Sequence, residues 1–143
     1  MLIDTHMHIY PDALAEKALA RIGRISAAPT AADGTMDGTI KMMDEQGVSA
    51  GLLLHIASDP KKQHNVNNFA AEAMQHSQGR FVCFGSVHPD AEDAEDELHR
   101  IKELGLLGVK LHPYYQDFDM EGKNALKVYE TCCALGLPIA FHM

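Results

Sequence analysis

Five short apolar segments of this 143-residue chain each carry a histidine near the carboxyl end. In order along the chain they read LIDTHMHI, AGLLLHIA, FVCFGSVHP, GVKLHP and PIAFH. Continuous apolar runs of this length are typical of strands that are buried on both faces of a parallel sheet. The chemical groups of α/β enzymes collect at the carboxyl ends of such strands. The pattern therefore predicts a parallel sheet with histidines along one edge.

Helices are predicted between the apolar runs. Apolar spacing, charge distribution and helix-ending glycines place them over 36–46, 65–77, 90–104 and 121–135. A shorter helix is predicted near 12–21, inside a loop that extends from 10 to 35. Strands after the first begin about thirty residues apart, which is the length of one βα unit. This repeat fits an open doubly wound sheet or a closed (β/α)8 barrel.

The turn after the first strand favours the barrel. It reads HIYP and lacks the glycines that a dinucleotide-binding turn needs to approach a pyrophosphate. We therefore predict an α/β fold that is part of a (β/α)8 TIM barrel, with its first five strands and their covering helices.

Charge and composition limit the classes of partner. The formal net charge is -8, and no Lys/Arg cluster is present, which argues against nucleic acid or anionic lipid. No window approaches the roughly 18 apolar residues of a membrane span, and no signal peptide is recognised. The odd number of cysteines, two of them adjacent, fits packing roles in a reducing compartment. We expect a cytoplasmic protein with a small-molecule substrate.

The first strand carries two histidines with metal-ligand spacing. Side chains alternate along a strand, so His6 and His8 share a face, with Cα atoms about 6.5 to 7 Å apart. Two imidazoles at that spacing can converge on one metal ion about 2 Å from each nitrogen. Asp4 lies on the same face. A single His-x-His pair is weak evidence, but its position at the end of a first strand strengthens it.

At this point the chain resembles the amidohydrolase superfamily, in particular the amidohydrolase-2 group of metal-dependent (β/α)8 hydrolases and decarboxylases. The resemblance rests on four segments in order, IDTHMHIYP, GRFVCFGSVHP, GVKLHPYYQDF and LGLPIAFH. It implies that His6 and His8 are the strand-one metal ligands and that His142 is the strand-five ligand. The metal is expected to be Zn²⁺, with Mn²⁺ and Fe²⁺ as alternatives, because all three accept imidazole and carboxylate ligands.

Two residues of the fourth apolar segment are candidate catalytic groups. Some branches of the family carry a carboxylated lysine that bridges two metals, and Lys110 is the candidate for that role here. Substrate contact or a structural ion pair is the favoured interpretation of Lys110. His112 would touch the metal or the substrate, or else be a tucked, hydrogen-bonded histidine. The remaining histidines are weaker candidates at strand ends, His55 and His88, or are predicted to face solvent, His64, His76 and His99.

The family barrel has eight strands, whereas five are found here. We therefore expect residues 1–143 to be the N-terminal portion of one metal-dependent hydrolase barrel domain, without the family's strand-six histidine and its proton-transferring strand-eight aspartate. Five strands leave two apolar edges. A remaining half-barrel or a second copy of the chain is expected to cover them.

For the complete protein the resemblance implies metal-assisted hydrolysis of an amide, ester or lactone bond in a small molecule. The metal would lower the pKa of a bound water and polarise the substrate carbonyl. The alternative is non-oxidative decarboxylation of a small aromatic or unsaturated carboxylic acid with the same ligands. A third interpretation is an inactive fragment that binds metal or a partner without turnover.

Overall fold

The computed structural model describes residues 1–25 and 30–142. Its five strands are β1 (Leu2–Met7), β2 (Val48–Leu54), β3 (Phe81–Phe84), β4 (Val109–Leu111) and β5 (Ile139–Phe141). Its helices are α1 (Asp12–Ile25), α2 (Met36–Gln46), α3 (Gln63–His76), α4 (Ala94–Glu103), α5 (Pro113–Gln116) and α6 (Lys123–Leu135), and a 3₁₀ turn at Pro60–Lys62 precedes α3. No helix within the described ranges has both the length and the apolar character to cross a bilayer.

The strands are parallel and lie side by side in chain order. Hydrogen bonds join β1 to β2 and β2 to β3 in one ladder, and β4 to β5 in another. A parallel bridge between Gly85 and Val109 connects the two ladders just beyond β3. There the Lys110 amide donates to the Gly85 carbonyl at 2.8 Å. The carboxyl ends of all five strands therefore meet at one edge, as predicted.

Local signals explain the helix α2, whose bounds coincide with the predicted 36–46. Thr35 begins it, because its hydroxyl accepts a hydrogen bond from the Gly38 amide at 3.0 Å. Gly47 ends it in the left-handed region with a φ of 69°, and its amide donates to the Asp44 carbonyl. Capping at both ends makes this helix predictable from a short stretch of sequence.

Other boundaries differ from the prediction. The helix predicted near 12–21 is the longer α1, and residues 26–29 of the predicted loop lie outside the described residues. The helix predicted from residue 90 begins at Ala94, because the Ala91 amide first closes a turn on the His88 carbonyl at 2.9 Å. The sequence analysis does not predict the short helix α5.

The core packs between the sheet and its helices, whereas the two sheet edges are open. Fully buried apolar side chains include Met43, Leu53, Leu98, Ile101 and Leu111. Within the described part of the chain, β1 and β5 each have one neighbouring strand. Leu2 and Ile3 of β1 are 55% and 48% exposed. That a half-barrel or a second copy covers these edges stays a prediction.

Candidate metal centre

Five predicted site residues gather at the carboxyl ends of three strands. His6 and His8 come from β1, Lys110 and His112 from β4, and His142 follows β5. The ring centroids of His6 and His142 are 6.2 Å apart, and those of His112 and His142 are 4.2 Å apart. The positive charge of Lys110 lowers the pKa of both imidazoles on β1. We call these five side chains the mouth cluster.

His6 and His8 have the geometry of a metal-ligand pair. Their Nε2 atoms are 3.2 Å apart. A cation about 2.0 to 2.1 Å from each nitrogen would give an N–metal–N angle of about 100°, close to tetrahedral. Asp4 supports this arrangement, since its carboxylate accepts the His6 amide at 2.9 Å where β1 pairs irregularly with β2. The pair therefore fits a divalent cation.

The environment favours the neutral form of both rings, which is the form that binds metal. Burial lowers the pKa of His6, and the nearby Lys110 and His142 lower it further. Burial and the neighbouring His6 lower the pKa of His8 to about 4, against a hydrogen bond to the Leu54 backbone that raises it. The lone pairs of these nitrogens are therefore free for a cation at neutral pH.

The ring of His142 meets the His6 ring of β1 edge-to-face, and it also lies beside the ring of His112. The His112 and His142 rings are stacked with an angle of 9° between their planes, and Tyr115 stacks on His112 at 4.0 Å. Across residues 1–25 and 30–142, no group of three or more His, Cys, Asp or Glu side chains is arranged to hold a metal. The predicted role of His142 as the third ligand therefore stays a prediction.

The hydrogen bonding of His112 suggests a donor and not a ligand. Its Nδ1 accepts the Tyr115 amide at 3.3 Å, in the position that caps α5. A neutral ring that accepts at Nδ1 carries its proton on Nε2 and can donate one hydrogen bond there. Burial, His142 and Lys110 together lower the pKa of His112. A buried ring with this hydrogen bond agrees with the tucked, hydrogen-bonded interpretation, and contact with metal or substrate stays a prediction.

Lys110 is a buried cation at the same mouth. The residue is 1% exposed, and burial lowers the pKa of its amine. None of the ion pairs formed by the described residues includes it. A structural ion pair, one of the two favoured interpretations of Lys110, is therefore not found among the described residues. Substrate contact and the bridging role of a carboxylated lysine both stay predictions.

The two other strand-end histidines are buried at 6–7% exposure. His88 accepts the Asp90 amide at Nδ1, 3.2 Å away. His55 packs edge-to-face on Phe69, with ring centroids 5.7 Å apart, and its Nε2 has no hydrogen-bond partner among the described residues. Burial and the neighbouring His8 lower the pKa of His55 to about 4. The His88 ring is therefore held by a hydrogen bond, and the His55 ring by packing.

His64 is exposed, as expected, and it also contacts two carboxylates. The sequence places it in solvent, and its side chain is 51% exposed, but its two nitrogens contact Asp93 at 2.6 Å and Glu97 at 2.8 Å. Glu97 is 1% exposed and also pairs with Arg100 at 2.7 Å. The side of α4 that faces α3 therefore carries a buried carboxylate, Glu97, in polar contacts. The acidic composition of this stretch does not reveal that burial.

A family model described as Amidohydrolase, of the amidohydrolase-2 group, matches residues 3–143. The chain belongs to this family. No curated protein sequence matches it significantly. The resemblance first read from four short segments is thereby confirmed over nearly the whole chain.

Solved structures share the backbone of this amidohydrolase. A variant of 5-carboxyvanillate decarboxylase LigW2 from Novosphingobium aromaticivorans, with bound manganese, has 19% identity and a TM-score of 0.72 over 99% of this chain and 50% of that one. A probable 2-pyrone-4,6-dicarboxylic acid hydrolase from Acinetobacter baumannii has 21% identity and a TM-score of 0.64 over 99% of this chain and 49% of that one. The 4-oxalomesaconate hydratase LigJ from Rhodopseudomonas palustris has 19% identity and a TM-score of 0.67 over 100% of this chain and 52% of that one.

The amidohydrolase chain spans about half the length of these structures. Its parallel strands and helices match the N-terminal part of the TIM barrel, so the predicted fold class is confirmed. The family and the neighbours consist of enzymes, among them decarboxylases, a hydratase and a hydrolase.

The Gln116 side chain of the amidohydrolase makes hydrogen bonds to the ends of three strands. The sequence alone did not predict this role. Its amide nitrogen donates to the carbonyls of Ala57 at 2.9 Å and Val87 at 2.8 Å. Its amide oxygen accepts the backbone N–H of His112 at 2.8 Å. The side chain is 2% exposed. One buried amide thus sets the spacing beyond β2, β3 and β4, and no local signal distinguishes it from a surface glutamine.

Two amides of α3 hold the end of β3 in the same way. Asn67 accepts the Ser86 amide at 2.8 Å and donates to the Ser86 carbonyl at 2.9 Å. Gln63 accepts the His88 amide at 3.1 Å. Both amides are fully buried. Their spacing of four residues on one helical face was a usable signal, because such polar residues share the face that packs on the sheet.

Proposed function

We propose that the complete protein is a metal-dependent enzyme that acts on a small carboxylic acid at the mouth cluster. The observation that carries this proposal is Lys110, a buried cation without a carboxylate partner among the described residues. A buried charge is stabilised by an opposite charge and by hydrogen bonds. The acid's carboxylate would supply that charge. The names of the three structural neighbours likewise denote small acids.

In this proposal His6 and His8 hold a divalent cation, and His142 is the third candidate ligand. Zn²⁺ is the metal expected from the family resemblance, and the manganese in one neighbour supports Mn²⁺ as an alternative. When bound, the cation polarises the oxygen that it contacts on the substrate. The neutral state of both imidazoles supports this assignment.

The reaction that the residues of this chain support best is non-oxidative decarboxylation. The mouth cluster offers two proton-bearing nitrogens, on Lys110 and on His112. In the reaction the bond to the carboxylate carbon breaks, its electron pair stays on the substrate carbon, and carbon dioxide leaves. The Lys110 ammonium then supplies the proton to that carbon, while His112 donates a hydrogen bond from Nε2. Decarboxylases among the structural neighbours support this order of candidates.

Hydrolysis of an amide, ester or lactone bond is the second candidate, and it is the one that the sequence ranked first. The probable 2-pyrone-4,6-dicarboxylic acid hydrolase among the neighbours supports it. Hydrolysis needs a base that accepts a proton from water, and in the family resemblance that base is the strand-eight aspartate. The three free cysteines support a cytoplasmic setting for either reaction, because thiols stay reduced there.

The test is a substrate screen on the complete protein, loaded with Zn²⁺ or Mn²⁺. Hydroxybenzoates and small unsaturated acids are assayed for carbon dioxide release, and esters and lactones of the same acids are assayed for acid release. Decarboxylation predicts carbon dioxide in amounts equal to the product. Acid release alone would assign hydrolysis, and neither activity in a folded, metal-loaded protein would leave the inactive interpretation.

A pair of lysine variants tests the role of Lys110. We expect Lys110→Met to lower turnover by about a hundredfold or more, because the charge and the proton donor are both removed. Lys127→Met is the matched control, because Lys127 is an exposed lysine outside the mouth cluster. Its Nζ lies 3.6 Å from Oε1 of Glu95. Equal activity of the two variants would reject the assignment.

A further inference from the structure

A cavity of about 540 Å³ lies beside the mouth cluster. Its walls come from the segment after β1, the end of β2 and the first half of α3. The lining is mainly apolar and includes Ile9, Leu14, Leu54, Ile56, Val66 and Phe69. This volume falls in the range of about 300–1,000 Å³ that is typical of small-molecule sites.

The cavity borders the proposed metal site at His8. His8 forms part of its wall, so a group in the cavity lies next to one of the two proposed ligands. Leu14, which also lines the cavity, is 54% exposed although it is apolar. Apolar surface of this kind gains free energy when an apolar group covers it.

The charge of the lining restricts the occupant. Among the described residues, Lys62 is the one lysine or arginine in the wall, and no Asp or Glu contributes to it. Phe69 and His55 form an edge-to-face pair, which places two rings in the wall. An uncharged, ring-sized group matches such a wall better than a second charged group does.

We propose that this cavity holds the apolar, non-reacting body of the acid substrate and so selects acids with a large uncharged end. The inference rests on the proposed function, because it places the acid group of the same molecule at the mouth cluster. It makes Val66 and Phe69 specificity-determining residues, although they lie on α3 and outside the mouth cluster.

The experiment measures the affinities of four probes for the complete, metal-loaded protein by titration calorimetry or ligand-observed NMR. Acetate, benzoate and 2-naphthoate share the carboxylate and differ in apolar size, and 2-naphthol has the same rings without the acid. We expect 2-naphthoate to bind about tenfold more tightly than benzoate, because the second ring removes additional apolar surface from water. We also expect 2-naphthol to bind.

A filled cavity should remove this gain. Val66→Phe places a larger side chain in the wall, and we expect benzoate and 2-naphthoate then to bind with equal affinity while acetate is unchanged. Glu72→Phe is the matched control, because Glu72 is exposed on the same helix and does not line the cavity. A size gain that persists in Val66→Phe, or that Glu72→Phe also removes, would overturn the proposal.

A second measurement does not depend on how the variant folds. In the wild-type protein, 2-naphthol should shift the methyl resonances of Ile9, Leu14 and Val66, and shifts confined to other methyl groups would overturn the proposal. The two proposals can fail separately. Binding of 2-naphthol in this cavity without acetate binding or turnover would retain the cavity and reject the acid function. Acid turnover without tighter binding of the larger acids would retain the acid function and reject the cavity proposal.

Discussion

The strand ends of this chain are of two kinds, and they differ in how far their histidines are buried. The inner strands β2, β3 and β4 carry His55, His88 and His112, each at most 7% exposed. The edge strands β1 and β5 carry the three predicted metal ligands, which have larger exposed fractions, although the rings of His6 and His8 are partly desolvated. Buried amides fasten the inner strand ends, whereas their equivalents are not found among the described residues at the edges. Position in the sheet therefore separates buried from exposed histidines, although the residue type is the same.

The largest expected effect tests the edge histidines. Replacing both His6 and His8 by alanine in the complete protein should abolish stoichiometric metal binding, because the two nitrogens 3.2 Å apart are the best-formed ligand pair. Metal content measured by elemental analysis checks this. His76→Ala is the control, since that residue is exposed on α3 and remote from the strand ends. A double variant that retains one metal per chain would reject the comparison.

The next effect tests the inner strand ends. Gln116→Leu should lower the free energy of unfolding by about 4 kcal/mol, because three buried backbone groups lose their partner at once. Urea unfolding measures the change. Gln75→Leu, at an exposed position of α3, should change it by no more than about 0.5 kcal/mol. Similar losses in both variants would mean that Gln116 has no special role in joining β2, β3 and β4.

The smallest effect concerns pH and His55. Its pKa is about 4 in the folded protein and 6.5 when unfolded, so the unfolded chain binds the proton first as pH falls. The contribution of His55 to stability is therefore complete above pH 6.5 and is lost as pH falls towards 4, by up to about 3 kcal/mol. His55→Phe should flatten the difference in unfolding free energy between pH 7 and pH 4, whereas His76→Phe should not. An unchanged difference in His55→Phe would show that burial does not hold this ring neutral.

Much of the fold could be predicted because its signals are local. The apolar runs mark the strands, and the Thr35 and Gly47 caps set the bounds of α2. The His-x-His spacing on β1 predicts a converging pair, and the two nitrogens do converge. These features depend on residues a few positions apart, where strand and helix periodicity act directly.

The contacts that complete the site could not be predicted in this way. Gln116 reaches Ala57 across 59 positions, and Asn67 reaches Ser86 across 19. The stack of His142 on His112 joins two strands whose order only the sheet defines. In each case a polar or aromatic side chain has several possible partners in the sequence, and packing selects one of them.

The sequence by itself therefore determined the elements, their parallel order and the histidines at the strand ends, because strand pairing and helix periodicity follow from short-range patterns of apolar residues. Only the tertiary structure decided which polar groups are buried and what they contact. It left Lys110 without a carboxylate partner in the described chain and buried Glu97 against His64. The physical reason is that a buried polar group is tolerated only where the folded backbone brings a partner to it.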